Sequence, residues 1–479
     1  MSLSSIPHVV LVLAEVLLFF NLLIVVHELG HFWAARWRGM IVEKFGIWFG
    51  KPIWKKKVGG VEYSLGTIPA GGFVSLPQMA YMETVEGPGS LARDQIPPAR
   101  PLDKIIVALA GPVFSFGLAV VFACIVWAVG RPVSEGEGTT VVGYVEKDGP
   151  AGKAGLLPGD RIIKVDGRYV TRFVGMGNDA IQWRVVRSEG ATIPVDVLRP
   201  GIAEPLHFEI DPKREKRGAL QRQSLREILV EPAVTPVVES VFPDGPAAQA
   251  GLQAGDRVLS VDGRKLYARE SLGEYIADHP AAEYKLELAH EGRETRFVTV
   301  APRVPLGGAE PKIGLKWSEV GIIHLVHPRP WEQIKQSIVP MVNTVSALFS
   351  PKSDIKPQHM SGPVGIMNVM YRILESQHAW RLILWFGVLI NINLALLNLL
   401  PIPILDGGHV LLSLIEWVRR RPINVRLLEI VQTGCAALVM GYIAYVTFFD
   451  VQDISLPWKK QAAPPEMKFA PAPPSDSQP

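Results

Sequence analysis

The sequence predicts a multi-pass α-helical membrane protein. Four transmembrane helices carry two inserted small α/β modules and a membrane-associated β segment. Three observations lead there: four long apolar runs, a duplicated motif in the segment between the second and third runs, and a clustering of basic residues in two short loops. The 479 residues are 48% hydrophobic and only 20% charged, with a mean hydropathy of +0.20. That excludes a disordered chain, and the length suggests roughly two to four domains. A net charge of +3 gives no reason to expect a nucleic-acid partner. Cys124 and Cys435 are the two cysteines. They exclude a disulfide scaffold or a cysteine-only zinc site, and within apolar runs they read as small buried hydrophobes.

The apolar runs are Val9 to Val26, broken by Glu15 and Asn21, then Ile105 to Val129, Leu382 to Leu405 and Ile430 to Phe449. At about 1.5 Å per residue, each is long enough to cross a hydrocarbon core of roughly 30 Å. The first lacks a basic leader and a small-residue cleavage site, so it reads as a retained helix. Between the first two runs stand Arg36, Arg38, Lys44, Lys51, Lys55, Lys56, Lys57, Arg93, Arg100 and Lys104. Between the last two stand Arg419, Arg420, Arg421 and Arg426. Basic loops stay cytoplasmic, so both termini and the long middle segment are expected outside.

The middle segment repeats itself. Gly149-Pro150-Ala151, Ala154-Gly155-Leu156, Gly159-Asp160-Arg161 and Val165-Asp166-Gly167-Arg168 recur without a gap. Their counterparts are Gly245-Pro246-Ala247, Ala250-Gly251-Leu252, Gly255-Asp256-Arg257 and Val261-Asp262-Gly263-Arg264. Proline at a first helical position starts a short helix, and Asp-Gly closes a tight turn after an alternating strand. Two tandem modules follow, over 133–229 and 231–303. The pattern resembles the bacterial-type PDZ domain. Such modules either bind extended peptides by strand addition or serve as spacers and steric covers, and no recognition residue decides between these.

The chemistry begins where the first run ends, at His27-Glu28-Leu29-Gly30-His31. Residues four apart on a helix share one face about 6 Å apart along the axis. Two imidazoles so placed bind one zinc ion, and Glu28 beside them can act as general base on a metal-bound water. Ionisable residues at the end of a membrane helix are costly and point to function. A catalytic zinc site needs a third ligand at the same depth. Asp406 supplies it, expected near the cytoplasmic end of the third helix after Pro401 and Pro403 break its ladder. His409, further towards the charged loop, is a rival.

Together, His27-Glu28-Leu29-Gly30-His31 and Asn398, Pro401, Pro403 and Asp406-Gly407 resemble the site-2 protease family of intramembrane zinc metalloproteases. The tandem PDZ-like modules narrow the resemblance to its bacterial, sigma-E-regulating branch. This implies one Zn²⁺ per chain on His27, His31 and Asp406, with Glu28 as catalytic base and Asn393 and Asn398 holding substrate. It further implies cleavage within the membrane segments of single-span proteins, such as anti-sigma factors or signal-peptide remnants. The active site would lie near the cytoplasmic side of a bacterial inner membrane, with the modules outside gating access. Phe45 to Lys51 and Ile68 to Val74 resemble the family's membrane-associated β segment. Trp48 stands where the family often has glycine, and Ser115 ends a Gly-Pro-x-x stretch that the family closes with asparagine.

The resulting plan places the first two helices, zinc motif and β segment in 1–130. Amphipathic membrane-surface helices occupy 331–375, and the last two helices and third ligand occupy 380–450. Residues 458–479, rich in Pro and Ala, are expected to be disordered. Two other readings compete. An inactive membrane-anchored PDZ scaffold leaves the His, Glu and Asp constellation unexplained, and a metal-ion transporter fits poorly with ligands near one membrane face.

Overall fold

The computed structural model describes residues 6–79, 97–454 and 467–470, apart from single positions at 216, 219, 280, 309, 422 and 424. Arg93 and most of the segment after Trp458 lie outside the described residues. The chain divides into two compact units. One comprises Met1–Arg131, His327–Met341 and Met360–Ile454, and the other Pro132–Val326, Val342–His359 and Ser455–Pro479.

Among the described residues the first unit contains four helices long and apolar enough to cross a membrane: Pro7–Trp37, Pro101–Val129, Ala379–Asn398 and Leu428–Asp453. Helix α1 (Ile6–Trp37) continues without a break through the histidine pair. Helix α2 (Pro101–Val129) is the hub, packing on α1, on Ala379–Asn398 and on Asp406–Arg419. Small residues permit the close approach. A Cβ on Gly30 would overlap the carbonyl of Ala110, and one on Gly387 would stand 2.8 Å from the Phe122 ring. Between lipid-soluble helices such small-residue contacts supply packing that hydrophobicity alone cannot. Leu23, Ala119, Phe122, Ala123, Val388 and Ile392 form a buried cluster at this crossing.

The third apolar run is not one helix. Ala379–Asn398 ends before Pro401, and Asp406 opens a separate helix, Asp406–Arg419. The expectation that Asp406 lies near the end of the third helix is therefore corrected. Two prolines in three residues remove amide donors and stop the ladder, and a carboxylate in the first turn suits the positive helix end. Helices Pro330–Phe349 and Pro363–Leu374 occupy the stretch read as amphipathic. Asp450 Oδ2 accepts the amides of Gly362 and Gly365 at 2.8 and 3.0 Å, satisfying donors at the start of the latter helix.

After α1 come four strands, β1 (Lys44–Phe49), β2 (Trp54–Val58), β3 (Val61–Leu65) and β4 (Ile68–Ser75), in the order β2-β3-β1-β4. β1 runs parallel to β3 and antiparallel to β4. Its register with β4 shifts between Ile47 and Phe49. Trp48, at the shift, has φ of 67°, a left-handed conformation that favours glycine. Here the indole offsets that strain, because Nε1 donates to Asn21 Oδ1 of α1 at 2.6 Å. The asparagine that interrupts the first apolar run thus has a partner.

The second unit contains the duplicated modules. In each, a four-stranded antiparallel sheet carries the repeated Arg-to-Val strand, Arg161–Val165 in one and Arg257–Val261 in the other. The Asp-Gly hairpins form as expected, with Asp166 at φ 53° and Asp262 at φ 48°. Each module closes with a short strand beyond its expected limit: Val230–Pro232 pairs with Val142–Val145, and Leu315–Trp317 pairs with Val238–Val241. These bulged strands carry no repeated motif, which is why the boundaries at 229 and 303 fall short. The carboxylates of the repeated Gly-Asp pairs are buried. Asp160 accepts the Leu157 amide and pairs with Arg199, and Asp256 accepts the Gln253 amide and pairs with Arg296. Asp256 also meets His290 Nδ1 at 2.8 Å.

Burial works to raise the Asp256 carboxyl pKa. The Gln253 amide, His290 and Arg296 outweigh it and hold the group below its usual range. A carboxylate depressed in the folded state stabilises it above the unfolded pKa of about 3.9, and loses that contribution as pH falls through the folded value. Asp256→Asn is expected to cost about 3 kcal/mol, since it strands a buried pairing, and to flatten the acid limb of stability below about pH 4. Unfolding of the second module, followed by hydrogen exchange of its strand amides across pH, checks both; an unchanged acid limb would refute the assignment.

Candidate metal centre

The helix α1 backbone puts His27 and His31 on one face, turned to α2. Both are buried, at 6% and 8% exposure. His31 Nδ1 donates to the Val107 carbonyl at 2.8 Å, so in a neutral ring Nε2 carries the lone pair. His27 Nδ1 lies 3.0 Å from Ser115 Oγ. Gly111, between these two anchors on α2, leaves room for both rings: a Cβ there would overlap His31 Nε2 and stand 2.8 Å from His27 Nε2. Gly111 and Ser115 are four apart, so one face of α2 serves one face of α1.

The turn after Asn398 brings the third group in. Asp406 Oδ2 stands 3.2 Å from His27 Nε2, and Oδ1 stands 3.3 Å from His31 Nε2. The two Nε2 atoms are 3.2 Å apart. Gly407 and Gly408 make the turn possible, since a side chain on either would overlap the carbonyls of Leu399 and Ile402. His27, His31 and Asp406 form a group whose ligand atoms lie within 4.8 Å of one another. His409 is not part of it.

The donor set fits zinc on two grounds. Three electron-pair donors face one another in a buried space, and among the described residues Asp406 Oδ2 has only the 3.2 Å approach of His27 Nε2; a cation between them would satisfy all three. Ligand atoms about 2.0–2.1 Å from one tetrahedral zinc would stand about 3.3–3.4 Å apart, close to the separations found. Two histidines and a carboxylate leave a fourth position open.

Glu28 follows His27 on α1. Its Cγ would lie 3.4 Å from a Cβ on Gly72 of β4, so α1 and this strand meet at the general-base candidate. β4 is the last strand in its sheet, with β1 on one side only among the described residues. Asn398 Nδ2 approaches His27 Nε2 at 3.3 Å. Asn393 Oδ1 is buried without a hydrogen bond, and no contact of this residue with the histidines is seen among the described residues. Sequence reading missed Asn391, fully buried with Nδ2 donating to the Gly387 carbonyl at 2.8 Å. It also missed the supporting roles of Ser115, Gly111 and Val107. The four-residue spacing of Gly111 and Ser115 was the available signal for two of them.

Residues 15–442 match peptidase family M50. Among curated proteins, the chain is 29% identical over 440 residues to the regulator of sigma-E protease RseP of Escherichia coli, covering 86% of this chain and 92% of that one. It is 28% identical over 453 residues to a Vibrio cholerae protein provisionally named a zinc metalloprotease, covering 90% and 96%. The PDZ domain of an SdrC-like protein from Listeria monocytogenes matches at 25% identity over 18% of this chain and 88% of its own, with a TM-score of 0.16.

Gly111→Ala is expected to abolish stoichiometric zinc in the purified protein, because the added methyl occupies the ring space. Ser115→Ala is expected to keep the fold and weaken zinc binding by about 10–100-fold, the usual cost of freeing a ligand histidine from its outer partner. Chelator competition with zinc quantified by mass spectrometry measures both; wild-type affinity in Ser115→Ala would remove that residue from the site.

Proposed function

The chain belongs to peptidase family M50 and is an intramembrane zinc metalloprotease, and from that premise we propose how its residues carry out the reaction. The observation that carries the proposal is the meeting of His27 and His31 from one helix with Asp406 from another, at separations of 3.2 and 3.3 Å that suit one ion. These three residues hold a single Zn²⁺. A zinc ion held there would supply Lewis-acid polarisation of the scissile carbonyl and acidification of water. Glu28 accepts the proton from the attacking water on its carboxylate and returns it to the leaving amine nitrogen. Ser115 and the Val107 carbonyl keep the two imidazoles in the ligating orientation.

The substrates are membrane-spanning segments of single-span proteins, including anti-sigma factors and signal-peptide remnants. A regular helix buries its own peptide groups, so the segment must unwind to reach Glu28. The unpaired edge of β4, beside Glu28, accepts the extended chain by strand addition. Asn398 and the unsatisfied Asn393 Oδ1 offer amide partners to the exposed backbone.

The chain resides in a bacterial inner membrane, with the basic loops cytoplasmic. The helices Pro330–Phe349 and Pro363–Leu374 lie along the outer membrane surface. The paired modules are PDZ domains on the outer side, where they limit which substrates enter. An inactive scaffold would not require three electron-pair donors to converge in a buried space.

Glu28→Gln is expected to lower cleavage of a single-span substrate in liposomes by at least about 100-fold, the range of a lost general base, while zinc remains bound. Asp406→Asn is expected to lose zinc and activity together. Retained cleavage in Glu28→Gln would remove the general-base role, and full zinc in Asp406→Asn would point to another third ligand.

A further inference from the structure

Each module has a helix whose outer side meets another piece of the same chain. In the first module Trp183 of the helix Ile181–Arg187 packs with Ala347 and Ile355. Arg226, 4% exposed, binds Asp354 at 2.7 Å behind them. That cover is a continuous stretch of chain held by a partly buried ion pair.

The second module is covered differently. The helix Glu270–Asp278 and the chain around Ile313 to Leu315 enclose a cavity of about 550 Å³, with Leu272 and Ile276 on its wall and Met467 at its side. Residues 467–470 pass over this module, although the stretch was expected to be disordered. Leu306 donates its amide to the Lys468 carbonyl at 2.8 Å. Phe469 is 4% exposed, and its ring rests on Gly245 and Gly314, where an added Cβ would stand 3.3 and 2.9 Å away. Arg303 spans the other side: its guanidinium lies 5.5 Å from the Phe469 ring centre, and Nη1 donates to the Ala470 carbonyl at 2.9 Å. Met467 at the cavity and Phe469 against two glycines are alternate side chains with a main-chain bond at Lys468 between them, the pattern by which an extended peptide is held on a sheet edge.

We propose that residues 467–470 are an intramolecular ligand of the second module, a strap that keeps Met467 in the cavity wall and that an extended apolar segment must displace to enter. Among the described residues the strap is held by one buried ring, the Arg303 guanidinium and the Leu306 amide, and Lys468 is engaged as well. Met467 and Phe469 are alternate side chains along it, so a segment of the same extended shape can take its place. Tethering favours the strap, since a linked segment acts at an effective concentration in the millimolar range. The inference does not depend on the zinc chemistry and is tested without turnover.

The test uses the full chain in detergent, in the Glu28→Gln form so that no cleavage intervenes, and follows hydrogen exchange at the Leu306 amide. Deleting residues 464–479 is expected to speed that exchange about 10-fold or more, as is Phe469→Ala in the intact chain. Adding a synthetic peptide of residues 464–475 at millimolar concentration is expected to restore protection to the deleted form, and the same peptide carrying Phe469→Ala to fail. Equal Leu306 protection with and without the segment would overturn the proposal, as would equal rescue by both peptides. The strand Arg257–Val261 serves as an internal control: its protection stays unchanged if the module remains folded, so a global loss there shows unfolding and overturns the reading of a separable strap.

Discussion

The site depends on the contact between α1 and α2 at Gly111. Two imidazoles occupy the space that a side chain there would take, so the histidine pair is positioned by the absence of a group as much as by any bond. Once that space exists, the rest is determined by hydrogen bonding. His31 is fixed through a backbone carbonyl, which cannot be lost by mutation of a side chain, and His27 through the Ser115 hydroxyl. A carbonyl leaves no doubt about the tautomer, whereas a hydroxyl can donate or accept. The two histidines are therefore unequally constrained, and His27 is the one whose orientation follows from a substitutable residue.

The carboxylate reaches the pair only because a helix fails. A continuous third helix through Asp406 would carry it past the histidines, whereas the break at Pro401 and Pro403 folds the chain back and restarts it with Asp406 in the first helical position. Non-helical backbone at membrane depth is tolerated where protein or a cavity satisfies it. Here the carbonyls of Leu399 and Ile402 pack on the glycines that follow Asp406. The same turn leaves Asn398 against His27. Break, ligand and amide thus form one local solution, which explains why Asn, Pro, Pro, Asp and Gly occur within so few residues.

Much of this is legible in the sequence for a physical reason. His27 and His31 announce themselves because imidazoles four apart in an apolar helix have few other uses, and Asp406 because an acid after two prolines in a membrane run needs a partner. The repeated Gly-Asp-Arg and Asp-Gly stretches announce the modules because turns need specific residues. What is not legible is carried by residues with ordinary chemistry. Ser115 and Gly111 look like small residues in a helix, and their meaning lies in what stands across from them. Arg199 and Arg296, which neutralise the buried aspartates of the two modules, sit outside the repeated stretches. The closing strands are short and bulged and show no alternation. Trp48 shows the converse: standing in place of glycine it suggests only strain, yet its indole donates to Asn21, a bond that glycine could not make.

The strap on the second module follows the same logic. A segment rich in proline and alanine lacks any periodicity from which structure could be read, and Phe469 is the single aromatic after Trp458. One ring cannot organise a chain alone, because burying it yields only about 2–3 kcal/mol while each ordered backbone residue costs about 1–2 kcal/mol. It can organise a chain on a seat already made. Gly245 caps the module's own short helix and Gly314 stands just before its closing strand, and Arg303 also donates to the Asp244 carbonyl at 2.6 Å within the module. The seat is preorganised, so the segment bears only its own ordering cost. A cover that rests on a seat the module builds for itself is one that a competing segment of the same extended shape can replace, which is the property a displaceable cover requires.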